Sequence, residues 1–158
     1  MSRSPISIRP AALKDMPALI HLSEAAHWSP AQWEDIFHTE NPLRLAWLAQ
    51  SPQGPCGFLV ANCGVKVDGA PPEWELENVA VASASRRQGV ARMLLEALLM
   101  AAREAQASRI LLEVRESNVA ARLLYEASGF HLLTRRAGYY AEPTEDALVL
   151  VHVFDHPL

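Results

Sequence analysis

The spacing of apolar positions along this chain changes repeatedly between a helical pattern and an alternating one. Apolar residues three or four positions apart predict four helices, at about 13–26, 29–41, 89–106 and 118–128. Short apolar runs bounded by turn residues predict seven strands, at 6–9, 43–49, 57–67, 74–81, 109–114, 130–136 and 147–154. This order predicts a mixed sheet of the α/β (α+β) class covered by helices, because a doubly wound sheet would alternate strand and helix throughout.

Residues with special backbone preferences support these helix boundaries. Ser29 is suited to the N-cap of the second helix, and Pro30 to its first position. Asn118 is suited to the N-cap of the fourth helix. Gly129 follows the end of that helix, where a left-handed backbone is common.

Length and composition predict one ordered domain spanning residues 1–158. Of the 158 residues, 50% are hydrophobic and 20% are charged, a balance typical of a chain that buries a core. The formal net charge of −4 argues against nucleic-acid binding, which requires a basic face, but is compatible with a basic substrate. The sequence does not indicate an oligomeric state.

Neither a metal ion nor a membrane is expected. Cys56 and Cys63 lack metal-ligand spacing and are interpreted as reduced packing residues, and the histidines do not cluster. No apolar stretch approaches the roughly 20 residues of a membrane span, and the first residues show no apolar signal segment. The predicted location is the cytoplasm.

The apolar strand at 74–81 is followed by a short polar turn and a long helix, an arrangement that favours anion binding. Unpaired N–H groups and the dipole at a helix N-terminus attract negative charge. Gly89 would let a ligand approach the backbone closely, and Arg86, Arg87 and Arg92 add positive charge. The segment lacks the motifs of P-loop and dinucleotide sites, so neither nucleoside triphosphates nor nicotinamide cofactors are favoured. The alternative is an ordinary helix start with surface arginines.

The same turn resembles the pyrophosphate loop of the GCN5-related N-acetyltransferase (GNAT) superfamily, through Arg86, Gly89 and Ala91. Four further segments resemble motifs of one subfamily, the ribosomal protein alanine N-acetyltransferases. They are Glu-Asn-Val-Ala-Val, Leu-Glu-Val-Arg-Glu-Ser-Asn, Leu-Tyr-Glu-Ala-Ser-Gly-Phe and Arg-Arg-Ala-Gly-Tyr-Tyr. The resemblance is strong over 76–140 and implies the GNAT fold, a mixed, mostly antiparallel central sheet of about seven strands flanked by about four helices.

The resemblance implies an acetyl-CoA-dependent enzyme that acetylates the N-terminal α-amine of a protein, in this subfamily a ribosomal protein. Glu113 would be the general base and Tyr125 the general acid. The implied acetyl-CoA contacts are Val79, Ala80, Val81, Arg87, Gln88, Gly89, Val90, Ala91, Arg92 and Asn118. Direct transfer without an acyl-enzyme is expected, because neither cysteine lies near the predicted site.

Each implied catalytic residue also has a structural interpretation. Glu113 lies within a strand and could be held by an arginine such as Arg115, and Tyr125 could be a core aromatic. Glu77 is the second candidate for the base. It belongs to an alternating set that would share one strand face, either to attract a cationic amine or as a solvated edge. The set is Glu73, Glu75 and Glu77.

The predicted acceptor side involves Trp28, Glu77, Tyr139 and Tyr140. Trp28-Ser29 is similar to the Pro-Trp-Ser element of the subfamily, although Ala26-His27 precede it where Phe-Pro is expected; Trp28 could contact the acceptor or pack in the core. The two tyrosines could close over a peptide N-terminus or form a surface pair on a hairpin. A lysine side chain or a small-molecule amine is the alternative acceptor, and a non-catalytic acyl-CoA-binding domain is the alternative class.

Overall fold

The computed structural model describes residues 5–24, 26–38, 43–64 and 68–155. The strands are β1 (Ser7–Pro10), β2 (Arg44–Ser51), β3 (Gly54–Asn62), β4 (Glu73–Val81), β5 (Arg109–Arg115), β6 (His131–Tyr140) and β7 (Glu145–Val153). The α-helices are α1 (Met16–Leu22), α2 (Pro30–His38), α3 (Val90–Glu104) and α4 (Val119–Ala127). Short 3-10 turns, Leu13–Asp15 and Ser83–Ser85, lie before α1 and α3.

All seven strands form one sheet in the order β1-β2-β3-β4-β5-β7-β6. Neighbouring strands are antiparallel except β4 and β5. These two run parallel because α3 carries the chain from the end of β4 back to the start of β5. The predicted class, a mixed and mostly antiparallel sheet with seven strands and four helices, is confirmed.

Helices cover both faces of the sheet, and each face has its own apolar core. On one face, α1 and α2 pack over β2 and β3 around Trp33 and Phe58. On the other face, α3 and α4 bury Leu94 against the alternating apolar residues of β5, such as Leu112. Since neighbouring strand residues point to opposite faces, Glu113 points away from the α3–α4 core.

The predicted helix caps are confirmed. Before α2, the Ser29 hydroxyl accepts from the Gln32 N–H (3.3 Å), and the Gln32 side-chain carbonyl accepts from the Ser29 N–H (2.7 Å). Before α4, the Asn118 side-chain oxygen accepts from the Ala121 N–H at 3.2 Å. Gly129 follows α4 with a φ of 93°. The predicted end of α2 near residue 41 lies outside the described residues.

The first helix is shorter than predicted, because α1 ends at Leu22 and not near residue 26. The buried Ser23 hydroxyl donates to the Leu19 carbonyl at 2.8 Å and accepts from the Trp33 indole N–H at 3.1 Å. A serine hydroxyl bonded back to a helix carbonyl competes with the backbone ladder. The chain then turns away from the helical path, and His27 adopts a φ of 55°.

Strand boundaries differ from the predictions at the turns. β3 spans Gly54–Asn62 and not 57–67; it ends where the Asn62 side chain accepts from the Gly64 N–H at 2.9 Å. Residues 65–67 of the predicted strand lie outside the described residues. β6 continues to Tyr140 and β7 starts at Glu145, so this hairpin is longer than its apolar pattern indicated.

The parallel pair β4–β5 separates soon after it begins. Its ladder contains three residue pairs: Glu73 with Arg109, Trp74 with Ile110 and Glu75 with Leu111. Beyond them the two strands continue to Val81 and Arg115 without pairing to each other. The result is a V-shaped gap in the middle of the sheet, which we call the splay.

β4 also contains a β-bulge at Glu77. Val60 of β3 pairs with Asn78, and the next residue of β3 pairs with Leu76, so Glu77 is the extra residue. Before the bulge, Leu76 belongs to the core beneath α3; after it, Val79 packs against that core. The bulge therefore reverses the alternation, and the consecutive side chains of Glu77 and Asn78 both point towards the α1–α2 face.

The start of α1 is fixed by a buried ion pair. The Asp15 carboxylate is 7% exposed and accepts two hydrogen bonds from the Arg9 guanidinium, each 2.8 Å long. It also accepts from the Ala12 N–H at 2.8 Å. The Arg9 hydrogen bonds are the main reason that the pKa of Asp15 falls from 3.8 to about 2.

Asp15→Asn is expected to lower the free energy of unfolding by about 2 kcal/mol at pH 7, the value that a pKa depressed to about 2 implies. Because the folded-state pKa is the lower one, this stabilisation is present above about pH 4 and is lost as the pH falls towards 2. Urea unfolding at pH 7 and pH 3 measures it. The exposed Asp155 provides the control: Asp155→Asn should change little. Equal losses for Asp15→Asn at both pH values would contradict the ionic explanation.

Candidate active site

The splay opens into two connected clefts. The β4–α4 cleft, of ≈ 430 Å³, lies between the end of β4 and helix α4. The β4–β5 cleft, of ≈ 290 Å³, lies between the separated strands. Five residues line both clefts and therefore mark where the clefts meet: Ala26, Asn78, Val79, Asn118 and Tyr125.

The turn before α3 forms a third pocket, of ≈ 190 Å³, which adjoins the β4–α4 cleft at Val81, Arg86 and Ala91. The first backbone bond within α3 runs from the Met93 N–H to the Gly89 carbonyl at 3.0 Å, so the preceding N–H groups have no acceptor in the helix. Within the described residues no side chain caps this helix. Gly89 adopts a φ of 77°, which a glycine tolerates without strain. The turn presents open N–H groups and a positive dipole end to an anion.

The predicted acetyl-CoA contacts divide between these spaces. Val79, Ala80, Val81 and Asn118 line the β4–α4 cleft. Arg87, Gly89, Val90, Ala91 and Arg92 line the turn pocket. Gln88 lines a different depression, beside Ser51 and Gln53, and its side chain donates to the Ala84 carbonyl at 3.3 Å.

Two residues of the turn are committed to other contacts. The Val90 side chain is buried in the core, so this residue can face a ligand through its backbone N–H. Arg92 pairs with Glu96 at 3.5 Å, an exposed contact of small energy that a ligand could displace.

Tyr125 lies at the junction of the clefts and is 7% exposed. Its ring packs against Phe130, with centroids 5.9 Å apart. Burial is the main cause that raises the pKa of Tyr125 to about 12. The residue is thus both a core aromatic and a cleft residue, and its hydroxyl keeps its proton throughout the neutral range.

Glu113 lies on β5 and faces the β4–β5 cleft, and Glu77 faces the same cleft from β4. Its carboxylate lies 3.1 Å from the guanidinium of Arg136 on β6. A hydrogen bond between the Tyr139 hydroxyl and Glu113 is the main cause that raises the pKa of Tyr139. An arginine does hold Glu113, but it is Arg136; the suggestion of Arg115 is wrong, because Arg115 points towards the β6–β7 hairpin.

Arg115 instead joins the hairpin to β5. It pairs with Glu145 at 3.3 Å, and its guanidinium lies 4.3 Å from the centre of the Tyr140 ring. Tyr140 lines the β4–β5 cleft, whereas Tyr139 is 51% exposed. The two tyrosine rings meet edge to face at 5.2 Å, so the predicted surface pair exists at the rim of the cleft.

The three glutamates of β4 share one face, as predicted, but differ in their partners. Glu73 pairs with Arg109 at 2.8 Å, and Glu77 lies 3.2 Å from Arg44. The pKa of Glu75 is raised, first by burial and then by the charges of Glu77 and Glu113. The face therefore carries negative charge next to the cleft, partly balanced by arginines.

Trp28 is 8% exposed and packs edge to face against Trp33, with ring centroids 5.9 Å apart. The Arg44 guanidinium lies 5.7 Å from its ring centre. Of the two interpretations of Trp28, the structure places it in the core beneath α1 and α2, and it lines neither cleft.

Two site residues were missed by the sequence reasoning. Asn78, in the Glu-Asn-Val-Ala-Val segment, donates its side-chain N–H to the Ala26 carbonyl at 2.9 Å. Arg136, in the Arg-Arg-Ala-Gly-Tyr-Tyr segment, reaches Glu113 across β7. Both lie in segments that carry the family resemblance, and that was the available signal.

Two further observations concern the rest of the chain. In the described ranges, no group of three or more histidine, cysteine, aspartate or glutamate side chains is placed to hold a metal ion. None of the described helices has the length and apolar content needed to cross a membrane.

The structure thus combines a splayed mixed sheet with a turn suited to an anion at the start of its central helix. The sequence profile of the Acetyltransferase (GNAT) family matches residues 11–130. The chain belongs to this family, whose acetyl donor is acetyl-CoA, and it is an N-acetyltransferase.

Known relatives and solved structures are similar over most of the chain. The [ribosomal protein bS18]-alanine N-acetyltransferase of Escherichia coli (strain K12) is 34% identical over 138 residues, covering 86% of this chain and 89% of the relative. The crystal structure of the ribosomal-protein-S18-alanine N-acetyltransferase from Escherichia coli superposes with a TM-score of 0.82 at 29% identity, covering 98% and 97% of the two chains. Arabidopsis thaliana NAA60 in complex with acetyl-CoA shares the fold, with a TM-score of 0.84 at 17% identity over 96% and 100% of the chains.

Proposed function

We propose that this protein transfers the acetyl group of acetyl-CoA to the N-terminal α-amine of a protein, of the ribosomal-protein-alanine type. The observation that carries the proposal is the meeting of the two clefts at Tyr125, with an anion-binding turn beyond one cleft and Glu113 in the other. Similarity to enzymes named for alanine acetylation of ribosomal protein bS18 supports this acceptor class. The whole chain, 1–158, would act as one catalytic domain.

Acetyl-CoA would lie along the β4–α4 cleft. The edge of β4 that faces the splay has backbone groups at Val79–Val81 without a ladder partner on β5, and these can bond the amide-bearing arm of the donor. The pyrophosphate would meet the N–H groups from Gly89 to Arg92 and the nearby arginines. Asn118 would add a contact from the start of α4.

The acceptor amine would enter from the β4–β5 cleft, past Tyr140. A peptide α-amine has a pKa of roughly 7.7–8.0, so much of it is protonated at neutral pH and a modest base suffices. Glu113, directly or through one water, would take the proton. The amine nitrogen then bonds to the thioester carbonyl carbon and gives up a second proton to solvent, the carbon–sulfur bond breaks, and CoA leaves as a thiolate.

Tyr125 would stabilise the leaving thiolate. Full proton transfer from a phenol of pKa about 12 to a thiolate whose acid has a pKa of about 8.5 would be uphill by about 5 kcal/mol. We therefore expect Tyr125 to act mainly as a hydrogen-bond donor to sulfur, with the thiolate collecting its proton from water. No acyl-enzyme is needed, since Cys56 is buried away from both clefts.

A CoA-release assay with four acceptors tests the function. They are a peptide with a free N-terminal alanine, the same peptide N-terminally blocked, a blocked peptide with one lysine, and a polyamine. We expect kcat/KM for the free N-terminus to exceed the others by at least about tenfold, because a specific site distinguishes acceptors by at least this much. A preference for lysine or polyamine would instead support the alternative acceptors. Binding of acetyl-CoA without turnover on any acceptor would support a non-catalytic domain.

A further inference from the structure

The Asn78 side chain joins two parts of the chain that are far apart in sequence. Its amide N–H donates to the carbonyl of Ala26, 2.9 Å away, in a partly buried contact. Ala26 lies in the α1–α2 loop, of which residues 23–24 and 26–29 are described. Both Asn78 and Ala26 line both clefts, so this hydrogen bond lies where the clefts meet.

The bulge at Glu77 makes this contact possible. In an uninterrupted strand, Asn78 would point to the same side as Leu76, into the apolar core beneath α3. The extra residue turns Asn78 to the α1–α2 side. Bulges commonly re-aim side chains next to active sites. Asn78 therefore reaches its hydrogen-bond partner, the Ala26 carbonyl, because the bulge turns its side chain to that side.

In its described residues, the α1–α2 loop has little regular backbone structure of its own. α1 ends at Leu22, the Ala26 N–H bonds back to the Ser23 carbonyl at 3.0 Å, and His27 has a φ of 55°. A non-glycine residue with positive φ is held there by its surroundings. His27 also lines the β4–β5 cleft, so the placement of this loop sets the shape of that cleft.

A second contact from β4 reinforces the first. Glu77 lies 3.2 Å from Arg44, and the Arg44 guanidinium lies over the Trp28 ring at 5.7 Å. Arg44 also donates to Asp35 of α2 at 2.9 Å. Asn78 therefore contacts the α1–α2 loop directly. Glu77 contacts the far end of this loop, at Trp28, indirectly through Arg44.

We propose that Asn78 is a positioning residue: its carboxamide holds the α1–α2 loop against the splay and so fixes the passage through which the acceptor amine reaches the donor. The proposal rests on the proposed function, since it assigns the loop to the acceptor side. Asn78 acts through the loop, and its hydrogen bond is the part that matters. A carboxylate of equal size cannot donate to a carbonyl, and a methyl group neither donates nor fills the space.

Kinetics of Asn78→Ala and Asn78→Asp test the proposal, with Asn62→Ala as the matched control. Asn62 also uses its side chain to hold a turn, by accepting from the Gly64 N–H at 2.9 Å, but it lines neither cleft. Loss of one hydrogen bond of ordinary strength should raise the KM for the acceptor peptide about three- to tenfold in both Asn78 variants. The KM for acetyl-CoA should stay within about twofold. Asn62→Ala should leave both KM values unchanged.

Hydrogen–deuterium exchange of the peptide spanning residues 22–33 provides a readout that does not depend on turnover. Faster exchange of this peptide in Asn78→Ala, with the exchange rate of α3 unchanged, would support the role of Asn78 in holding the loop. If the wild-type protein acetylates no N-terminal peptide, the proposed function fails, while exchange still decides whether Asn78 holds the loop. Unchanged loop exchange, or equal changes in both KM values, would overturn the positioning role.

Discussion

Tyr125→Phe is expected to lower kcat by about 10²-fold, while the affinity for acetyl-CoA and the melting temperature stay near their wild-type values. Phenylalanine keeps the ring that packs against Phe130 at 5.9 Å and removes only the hydroxyl. The loss is confined to kcat because the hydroxyl is needed when charge develops on sulfur, and contributes little to holding the unreacted thioester.

The pH dependence of the wild-type enzyme provides a second measurement on Tyr125. Since the pKa of Tyr125 is raised to about 12, its hydroxyl stays protonated up to at least about pH 10. The acetylation rate should therefore rise as the acceptor amine loses its proton near pH 8 and should show no fall below about pH 10. A kcat for Tyr125→Phe within twofold of wild type would remove this residue from the mechanism.

Glu113→Gln is expected to lower kcat/KM for the acceptor by about 10²-fold at neutral pH. Glutamine has the same shape but cannot accept a proton from the ammonium group. The deficit should shrink as the pH rises above the amine pKa of about 8, because the acceptor then arrives already neutral. Initial rates at subsaturating acceptor, measured from pH 6 to pH 9.5, give both the size of the deficit and its pH dependence.

Two matched variants separate a base from an ion-pair partner. Glu73→Gln changes the same residue type on the same face, paired to Arg109 at 2.8 Å but outside both clefts, and should have little effect. Glu77→Gln tests the second candidate base. A full rate for Glu113→Gln together with a slow Glu77→Gln would move the base to Glu77.

The order of the helices and strands and the open turn before α3 were predictable from the sequence because their signals are local. The strand, turn and helix around Gly89 are consecutive in the chain, and a helix N-terminus presents open N–H groups whatever packs around it. The caps at Ser29 and Asn118 depend on contacts only three residues apart. Such features follow from spacing and residue type alone.

The arrangement around the β4–β5 cleft was less predictable because its contacts are long-range. Arg136 reaches Glu113 because β7 inserts between β5 and β6, an order that the chain does not reveal. At the early end of α1, the Ser23 hydroxyl accepts from the indole N–H of Trp33, ten residues further on. The bulge at Glu77 is seen in the register between β3 and β4. Its trace in the sequence is the change of the core-facing apolar positions from 74 and 76 to 79 and 81, which the reading of one continuous strand overlooked.

The splay leaves the sheet incomplete, and the open edges of β4 and β5 line the clefts beside it. Three residue pairs between β4 and β5 join one half of the sheet, β1-β2-β3-β4, to the other half, β5-β7-β6. Beyond these pairs, no strand lies between the facing edges of β4 and β5. A donor with amide groups along its arm can act there as an eighth, non-peptide strand. Occupancy would then add to the folding stability of both halves together, by about 2.7 kcal/mol at a donor concentration one hundred times the Kd. In this view the co-substrate is also a structural element, which enters the sheet with each turnover and leaves it as CoA.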